Sequence, residues 1–355
     1  MQPRWREPGD RTSTRTEHAG RSIRDAPDRQ PPTGALPPRP WDRQPGRSCV
    51  CACQTGAVRP AAVEPTPPIV PDAIRRRPVG VFDSGVGGLT VLHELLVQLP
   101  HEDFVYFADA ARFPYGPRTP DELEAFSLQI AEELLSRGIK LLVVACNSAT
   151  AAALPALRQR LLETTLGVNV LGVVQPGAVQ AVAATRNGRV GLMATEATVA
   201  SRAYERAIHA ADPFVEVTSV ACPDLTHIIE HGFPFDERVV ETVRGYTRPL
   251  REAGVDTVIL GCTHYPLVRP MLQRMLGRGV QIVVSGTPLA RQVEHVLGAR
   301  GLSNPREGEG DYRFLCTGDG EAFRALGTRF LQMPLGEVEA VRLGGEPQQL
   351  AEARA

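Results

Sequence analysis

Short apolar segments alternate with helical segments along most of this chain, and that alternation restricts its fold more than any other feature. From Pro78 onward, apolar runs such as residues 79–82 and 255–260 are followed by a turn and then by helical spacing. Strands separated by helices are typical of a mostly parallel sheet with helices on both faces. Nearly continuous apolar strands fit that burial. We therefore predict an α/β fold, and 355 residues are enough for two such domains.

Residues 1–77 differ in composition from the rest of the chain. They contain 14 arginines and 14 prolines against eight acidic residues, and they show no periodic apolar pattern. Such a segment cannot bury enough apolar surface to fold alone. We predict that residues 1–77 form a disordered extension, and it lacks the apolar core of a secretory signal.

Charge and cysteine content restrict the partners and the compartment. The formal net charge is −1, which gives no indication of a nucleic acid or membrane partner. No apolar run approaches the roughly 20 residues of a membrane span. Of the seven cysteines, Cys49, Cys51 and Cys53 lack the spacing and the second ligand pair of a metal site. The other four are scattered and are expected to stay reduced, as in a cytoplasmic protein.

Two turns that follow apolar strands carry the same pattern. The stretches LLVVACNSATA and TVILGCTHYPL each place a cysteine after a strand and before two hydrogen-bonding residues. A buried cysteine is often only a small core residue, but two core cysteines would have no reason to share this context. Ligands of α/β folds collect at the carboxyl ends of strands. We therefore predict that Cys146 and Cys262 are catalytic and that two similar domains present them across a cleft.

Two facing thiols have several chemical uses. They can form a disulfide, although redox pairs usually have C-x-x-C spacing. They can bind zinc together with His264, although a structural zinc site needs four ligands. One cysteine with His264 as its base is suited to acyl transfer, which leaves the other cysteine unexplained. Inversion of a carbon acid uses both, because one thiolate removes a proton from one face and the other thiol returns one to the opposite face.

The turn FDSGVGG and the lysine content indicate which kind of reaction the site can support. A carbanion next to a carboxylate needs many hydrogen-bond donors, and Asp83, Ser84 and the glycines before the next helix can supply them. Lys140 is the only lysine in the chain. It lies at the amino end of its strand, roughly 20 Å from the cysteine turn, where we expect it to be solvated. A pyridoxal phosphate site needs a lysine near the chemistry, so we predict a reaction without cofactor or metal.

Six motifs occur in a recognisable order: VGVFDSGVGGLTVL, RFPYGPR, VVACNSATAAAL, GVVQPGA, ATEATVASRAY and LGCTHYPL. In this combination, from about Pro78 to Leu343, the chain resembles the glutamate racemases of the cofactor-independent aspartate/glutamate racemase superfamily. The resemblance implies interconversion of L- and D-glutamate, with Cys146 taking the proton from D-glutamate and Cys262 from L-glutamate. It also implies that D-glutamate enters peptidoglycan and so serves the cell wall and cell shape.

The resemblance further implies roles for individual residues. Asp83 is implied to assist Cys146 and His264 to assist Cys262, with Glu230 as a further acidic residue beside the second cysteine. Substrate contacts are implied for Asp83, Ser84, Tyr115, Gly116, Asn147, Ser148, Thr195, Thr198, Thr263 and His264. Ser148 stands where the family usually has Thr, which keeps the hydroxyl. The stretch CPDLTHIIEHG differs from the usual apolar run before Glu230.

A domain arrangement also follows from the resemblance. It implies two α/β domains related by a pseudo-twofold axis, with the active site in the cleft between them. Residues 78–172 form the first domain, which residues 284–344 complete, residues 173–283 form the second, and residues 345–355 are a tail. Glutamate is the expected partner, and a homodimer is compatible with this arrangement. A racemase of another acidic amino acid such as aspartate, a non-catalytic binding protein and a Cys–His hydrolase remain as alternatives.

Overall fold

A computed structural model describes residues 70–164, 167–234 and 236–344. Its strands are β1 (Val79–Asp83), β2 (Phe104–Ala108), β3 (Leu141–Val144), β4 (Asn169–Gly172), β5 (Arg189–Ala194), β6 (Glu216–Ala221), β7 (Thr257–Gly261), β8 (Gln281–Val284), β9 (Tyr312–Cys316) and β10 (Val338–Ala340). Its α-helices are α1 (Asp72–Arg75), α2 (Leu89–Gln98), α3 (Pro120–Ser136), α4 (Asn147–Thr164), α5 (Val174–Ala184), α6 (Glu196–Ser201), α7 (Ala203–Ala211), α8 (Leu225–Glu230), α9 (Glu237–Glu252), α10 (Arg269–Leu276), α11 (Gly286–Ala299) and α12 (Gly320–Leu331). Two short 3₁₀ helices span Ala110–Arg112 and Tyr265–Val268.

The strands form two parallel sheets. The first has six strands in the order β10-β9-β2-β1-β3-β4, and the second has four in the order β6-β5-β7-β8. The paired strands run parallel throughout. The predicted α/β fold with mostly parallel sheets is therefore confirmed. The division into domains at 172/173 and 283/284 stays a prediction.

The two sheets share one topology. The order β2-β1-β3-β4 in the first sheet is repeated as β6-β5-β7-β8 in the second. In each case the chain adds strands on one side and then on the other, and such a switch point opens a crevice at the carboxyl ends of the central strands. The crevices lie at the ends of β1 and β3 in one sheet and of β5 and β7 in the other.

Local sequence signals explain where the elements begin and end. Helix α3 begins after Thr119, whose hydroxyl accepts from the Glu122 N–H while the Glu122 carboxylate accepts from the Thr119 N–H. Pro120 occupies its first position, where a missing N–H costs nothing. The chain leaves this helix through Gly138, whose φ of 75° favours glycine. Segments 168–178 and 188–198 each begin as a strand and change to helix after Gly172 and Ala194, because residues that follow bury a helical face.

One continuous apolar core joins the two sheets. It includes Val81 of β1, Leu92 of α2, Ile229 of α8, Val258 of β7 and Phe330 of α12. Smaller clusters cover the other face of each sheet. None of the described helices is long and apolar enough to cross a membrane.

Two predictions about the first part of the chain need correction. The predicted disordered extension ends too late, because Asp72–Arg75 form α1 and Arg75 Nε donates to the Ser303 carbonyl at 3.1 Å. Residues 1–69, with the three clustered cysteines, and the predicted tail 345–355 lie outside the described residues.

Lys140 is buried, which contradicts the prediction that it is solvated. It does precede β3, at the opposite end from Cys146, but its ammonium is buried 2.5 Å from Glu102 Oε2 and donates to the Arg75 carbonyl. Burial lowers the pKa of Lys140, while the Glu102 carboxylate opposes that change. Helix α1 covers the position, which a pattern of apolar residues could not reveal.

Candidate active site

The carboxyl ends of the central strands of both sheets meet at one cleft. Cys146 follows β3 and Cys262 follows β7, and both line this cleft of about 520 Å³. Each thiol is buried, with 5% and 7% of the residue exposed. The other lining residues are Ser84, Phe113, Pro114, Tyr115, Gly116, Pro117, Asn147, Ser148, Thr195, Glu196, Pro223, Thr226, Gly261, Thr263 and His264. The predicted pair of cysteines therefore shares a single cavity.

The glycine turn between β1 and α2 lets the two halves approach each other. A Cβ on Gly87 would lie 2.3 Å from His264 Nδ1, and a Cβ on Gly88 would lie 2.4 Å from Asp83 Cβ. Both contacts are far shorter than carbon atoms tolerate, so only glycine fits these positions. The turn also bonds across the cleft, because Thr90 Oγ1 donates to the Thr263 carbonyl at 2.9 Å.

Asp83 lies beneath this turn and not in the cleft. Its Oδ2 accepts from the N–H groups of Gly85 and Gly88 at 3.2 and 3.0 Å, and its Oδ1 accepts from Thr263 Oγ1 at 3.4 Å. Burial raises the pKa of Asp83, although the charge of His264 and these hydrogen bonds oppose the increase. Asp83 is therefore a buried carboxyl that can hold a proton more readily than a surface aspartate.

Cys146 lies at the start of α4, where the helix begins with Asn147. Its sulfur accepts a hydrogen bond from the Ala149 N–H at 3.5 Å. Burial raises the pKa of Cys146, the charge of Asp83 raises it further, and the backbone donors oppose both. In the substrate-free site Cys146 is therefore a protonated thiol, which suits a proton donor.

Cys262 has side-chain partners instead. His264 Nδ1 lies 3.9 Å from its sulfur, and Thr226 Oγ1 lies 3.6 Å from it. On the far side of the imidazole, His264 Nε2 bonds to Glu230 Oε1 at 2.9 Å. Burial lowers the pKa of His264, but the hydrogen bonds to Cys262 and Glu230 outweigh it and raise the pKa to about 10. His264 is therefore a cation at neutral pH and holds a proton next to Cys262.

A hydrogen-bonded group of small polar side chains forms the opposite wall. Ser148 Oγ lies 2.8 Å from Thr195 Oγ1 and 3.3 Å from Thr198 Oγ1, and the two threonine hydroxyls lie 3.0 Å apart. Thr198 is fully buried behind the other two. Its hydroxyl bonds to Ser148 and Thr195, and its predicted substrate contact stays a prediction.

Asn147 is held from behind by a buried tyrosine. The Tyr204 hydroxyl donates to Asn147 Oδ1 at 2.7 Å and lies 3.0 Å from Ser285 Oγ. Because the amide oxygen accepts this bond, the amide NH₂ group of Asn147 is left to face the cleft. Tyr204 and Ser285 were absent from the sequence-based site, and the only signal for Tyr204 was its place at the end of ATEATVASRAY.

Tyr115 and Gly116 lie at the entrance between the halves. The Tyr115 hydroxyl donates to Asp109 Oδ2, which also accepts from Arg112 Nε at 2.7 Å. The Gly116 carbonyl accepts from the Ala197 N–H at 3.0 Å. Tyr115 thus lines the cleft while its hydroxyl bonds to Asp109, and its predicted substrate contact stays a prediction.

The chemistry of the lining suits a small anion that is bound mainly by neutral hydrogen-bond donors, with His264 as the cationic side chain of the lining. No lysine or arginine side chain lines the cleft in the described part of the chain. Hydroxyl and amide donors of Ser84, Asn147, Ser148 and Thr263 are present instead, together with the N-terminus of α4. Helix N-termini favour anions.

The predicted site residues fall into two groups. Cys146, Cys262, Ser84, Tyr115, Gly116, Asn147, Ser148, Thr195, Thr263 and His264 line the cleft, whereas Asp83, Glu230 and Thr198 contact residues that line it. Sequence reasoning missed Thr226, which contacts the sulfur of Cys262, because no pattern distinguishes it from other helix residues. Among the described residues, no group of three His, Cys, Asp or Glu side chains could hold a metal ion.

Comparison with known proteins assigns the chain to a family. A family model described as Asp/Glu/Hydantoin racemase matches residues 89–293. A glutamate racemase of Geobacter metallireducens is 46% identical over 270 residues, which cover 76% of this chain and 98% of that protein. The chain belongs to the glutamate racemase family. The resemblance seen in the motifs is thereby confirmed.

Solved structures of the glutamate racemase family share the fold. The Bacillus anthracis isoform RacE1 is 37% identical and has a TM-score of 0.72, with 77% of this chain and 100% of that chain covered. The glutamate racemase of Francisella tularensis, solved in complex with D-glutamate, is 32% identical and has a TM-score of 0.70, with 76% and 99% covered.

Proposed function

We propose that this chain interconverts L-glutamate and D-glutamate by proton transfer at Cα, with Cys146 and Cys262 as the two acid–base groups and without a cofactor. One observation carries the proposal. The two sheets share a topology, each cysteine follows the strand that is third in chain order in its sheet (β3 or β7), and both cysteines line one cleft. The family, and the D-glutamate complex of the Francisella relative, support the reaction and the substrate.

The reaction needs no redox partner. One cysteine, as thiolate, takes the Cα proton, and the electron pair of the broken C–H bond remains on Cα and its carboxylate. The other cysteine, as thiol, donates its proton to the opposite face of Cα and becomes a thiolate. The product is the mirror-image amino acid, and the protein returns to its first state when the two thiols exchange protons with water. Donors around the carboxylate stabilise the charge that develops in the transition state.

The two halves of the cleft support different directions. In the proposal Cys262, next to the imidazolium of His264, removes the proton from L-glutamate, and Cys146 removes it from D-glutamate. Glu230 holds His264, and Asp83 acts on the side of Cys146. Ser84, Asn147, Ser148, Thr195 and Thr263 bind the substrate, with Tyr115 and Gly116 at the entrance. We further propose that D-glutamate is supplied to peptidoglycan in the cytoplasm, and that a homodimer is compatible with this role.

Running the reaction in heavy water tests the two-base proposal. Because each thiol exchanges with solvent, L-glutamate should yield D-glutamate that carries deuterium at Cα, while the remaining L-glutamate carries little early in the reaction. Circular dichroism without added cofactor follows turnover, and aspartate enantiomers test the alternative substrate. Equal early labelling of both enantiomers would mean that one base serves both faces and would refute the proposal.

Alanine variants of single cysteines provide the second test. Cys146→Ala and Cys262→Ala should each abolish racemisation in both directions, because either direction needs an acid and a base. Cys316→Ala is a matched control, since Cys316 is equally buried but lies in β9 and outside the cleft. A loss of only about tenfold, equivalent to about 1.4 kcal/mol, is too small for removal of such a base.

A further inference from the structure

Cys146 and Cys262 differ in the kind of donor that contacts each sulfur. Cys146 accepts from the backbone N–H of Ala149, a donor that is independent of the side chain at that position unless it is proline. Cys262 lies 3.6 Å from the hydroxyl of Thr226, a buried residue on α8 that also lines the cleft. Within hydrogen-bonding distance of a sulfur, a hydroxyl can donate to a thiolate or accept from a thiol, since its hydrogen rotates.

Two groups can accept the hydroxyl hydrogen of Thr226: the Cys262 sulfur and the oxygen of Tyr265. The Tyr265 hydroxyl donates its own hydrogen to the Cys222 carbonyl at 3.2 Å and is a neutral partner, whereas the thiolate form of Cys262 is charged. Thr226 is neutral and does not titrate. It can therefore change the proton affinity of the sulfur without changing the charge of the cleft.

We propose that Thr226 is a positioning residue that donates a hydrogen bond to the thiolate form of Cys262 and so keeps this sulfur available as a base. The role of Thr226 in the reaction rests on the proposed function, whereas the experiment that tests its contact with Cys262 does not. A hydrogen bond to an ionised group is about twice as strong as one to a neutral group, so the thiolate gains more than the thiol.

Other groups also act on Cys262, and the test must hold them constant. The imidazolium of His264 is the charged neighbour, and Glu230 acts through it. The titratable groups that interact with Cys262 from the surrounding elements are Cys146, Tyr204, Cys222, His264 and Tyr265. Replacing Thr226 by valine keeps the shape and leaves all of these in place.

Alkylation of individual cysteines measures the effect directly. Iodoacetamide reacts with thiolates, and cleavage after Arg and Lys places Cys262 in peptide 252–274 and Cys146 in peptide 141–158. In Thr226→Val the rate of alkylation of Cys262 at a fixed pH should fall about tenfold, because the thiolate loses a hydrogen bond, while the rate for Cys146 stays unchanged. Thr226→Ser should restore the parent rate. Thr247→Val is the matched control, since that buried hydroxyl donates to the Arg244 carbonyl within its own helix.

The effect on kcat/KM can also be predicted, because a racemisation has an equilibrium constant of one. Since kcat/KM must then be equal in both directions, Thr226→Val should lower it equally for L- and D-glutamate, by about tenfold. An unchanged alkylation rate of Cys262, or an equal fall in the rates of both cysteines, would overturn the inference. Alkylation needs no turnover, so absence of racemase activity would count against the proposed function alone.

Discussion

Replacing Glu230 by Gln tests how strongly the cleft depends on a protonated His264. The substitution keeps the shape and the hydrogen bond but removes a charge 2.9 Å from His264 Nε2. A hydrogen bond to a charged partner contributes about 1.5–3 kcal/mol, and one pKa unit corresponds to about 1.4 kcal/mol. The pKa of His264, raised to about 10 in the parent protein, should therefore fall by about one to two units.

The sign of the stability effect follows from the same shift. A histidine whose pKa is raised in the folded state adds stability that is fully present below its unfolded pKa of about 6.5 and is lost as pH rises through about 10. Glu230→Gln removes part of this contribution. The free energy of unfolding should fall by about 1.5–3 kcal/mol at pH 7, and much less at pH 10.

Nuclear magnetic resonance of ring-labelled histidine provides the assay. The chain has eight histidines, and the His264 signal is assigned by its absence in His264→Gln. Titration from pH 6 to 11 gives the midpoint for His264. In Glu230→Gln the decrease of kcat/KM at alkaline pH should begin at a correspondingly lower pH. Glu124→Gln, on the exposed face of α3, makes the same charge change as a control. A His264 midpoint that stays in place in Glu230→Gln would refute the reasoning.

Three further substitutions test other parts of the structure. Burial raises the pKa of Asp83, so ionised Asp83 destabilises the fold increasingly as pH rises through that pKa. At pH 7 Asp83→Asn should therefore unfold at an equal or higher denaturant concentration than the parent protein. Its kcat should nevertheless fall at least ~100-fold. Lys140→Met leaves the Glu102 carboxylate buried without its cation and should cost about 3–5 kcal/mol in urea unfolding, partly recovered by adding Glu102→Gln, with little change in kcat. Tyr204→Phe frees the amide of Asn147 and should raise KM about tenfold with a smaller change in kcat; an unchanged KM would contradict that role.

The sheets were predictable from sequence because their strands are buried on both faces. Runs such as β3 and β7 are almost wholly apolar, so their existence and order could be read from the chain. Helix α3 was equally clear from its capping residues. The burial of Lys140 was not, because it depends on α1, a four-residue helix that comes from a proline- and arginine-rich segment and covers the end of β3.

The site was predictable where chemistry follows a strand end. Both cysteines, and the turn that contains Ser84, lie where parallel strands place ligands. Tyr204 and Thr226 were not predictable, because each reaches the site from a helix that packs against it, and a single hydroxyl on an amphipathic helix carries no signal in sequence. Asp83 and Glu230 were identified, but their positions behind the lining residues depend on tertiary packing.

The two similar sheets do not give the two thiols similar surroundings, and that difference has a kinetic consequence. Burial and the charge of Asp83 keep the proton on Cys146, whereas the imidazolium of His264 stabilises negative charge at Cys262. In the proposed mechanism this asymmetry favours L-glutamate, for which Cys262 is the base and Cys146 the acid. D-glutamate requires the opposite arrangement. Because kcat/KM must be equal in both directions, we expect kcat and KM to differ between L- and D-glutamate by one common factor. Steady-state kinetics with each enantiomer measures that factor.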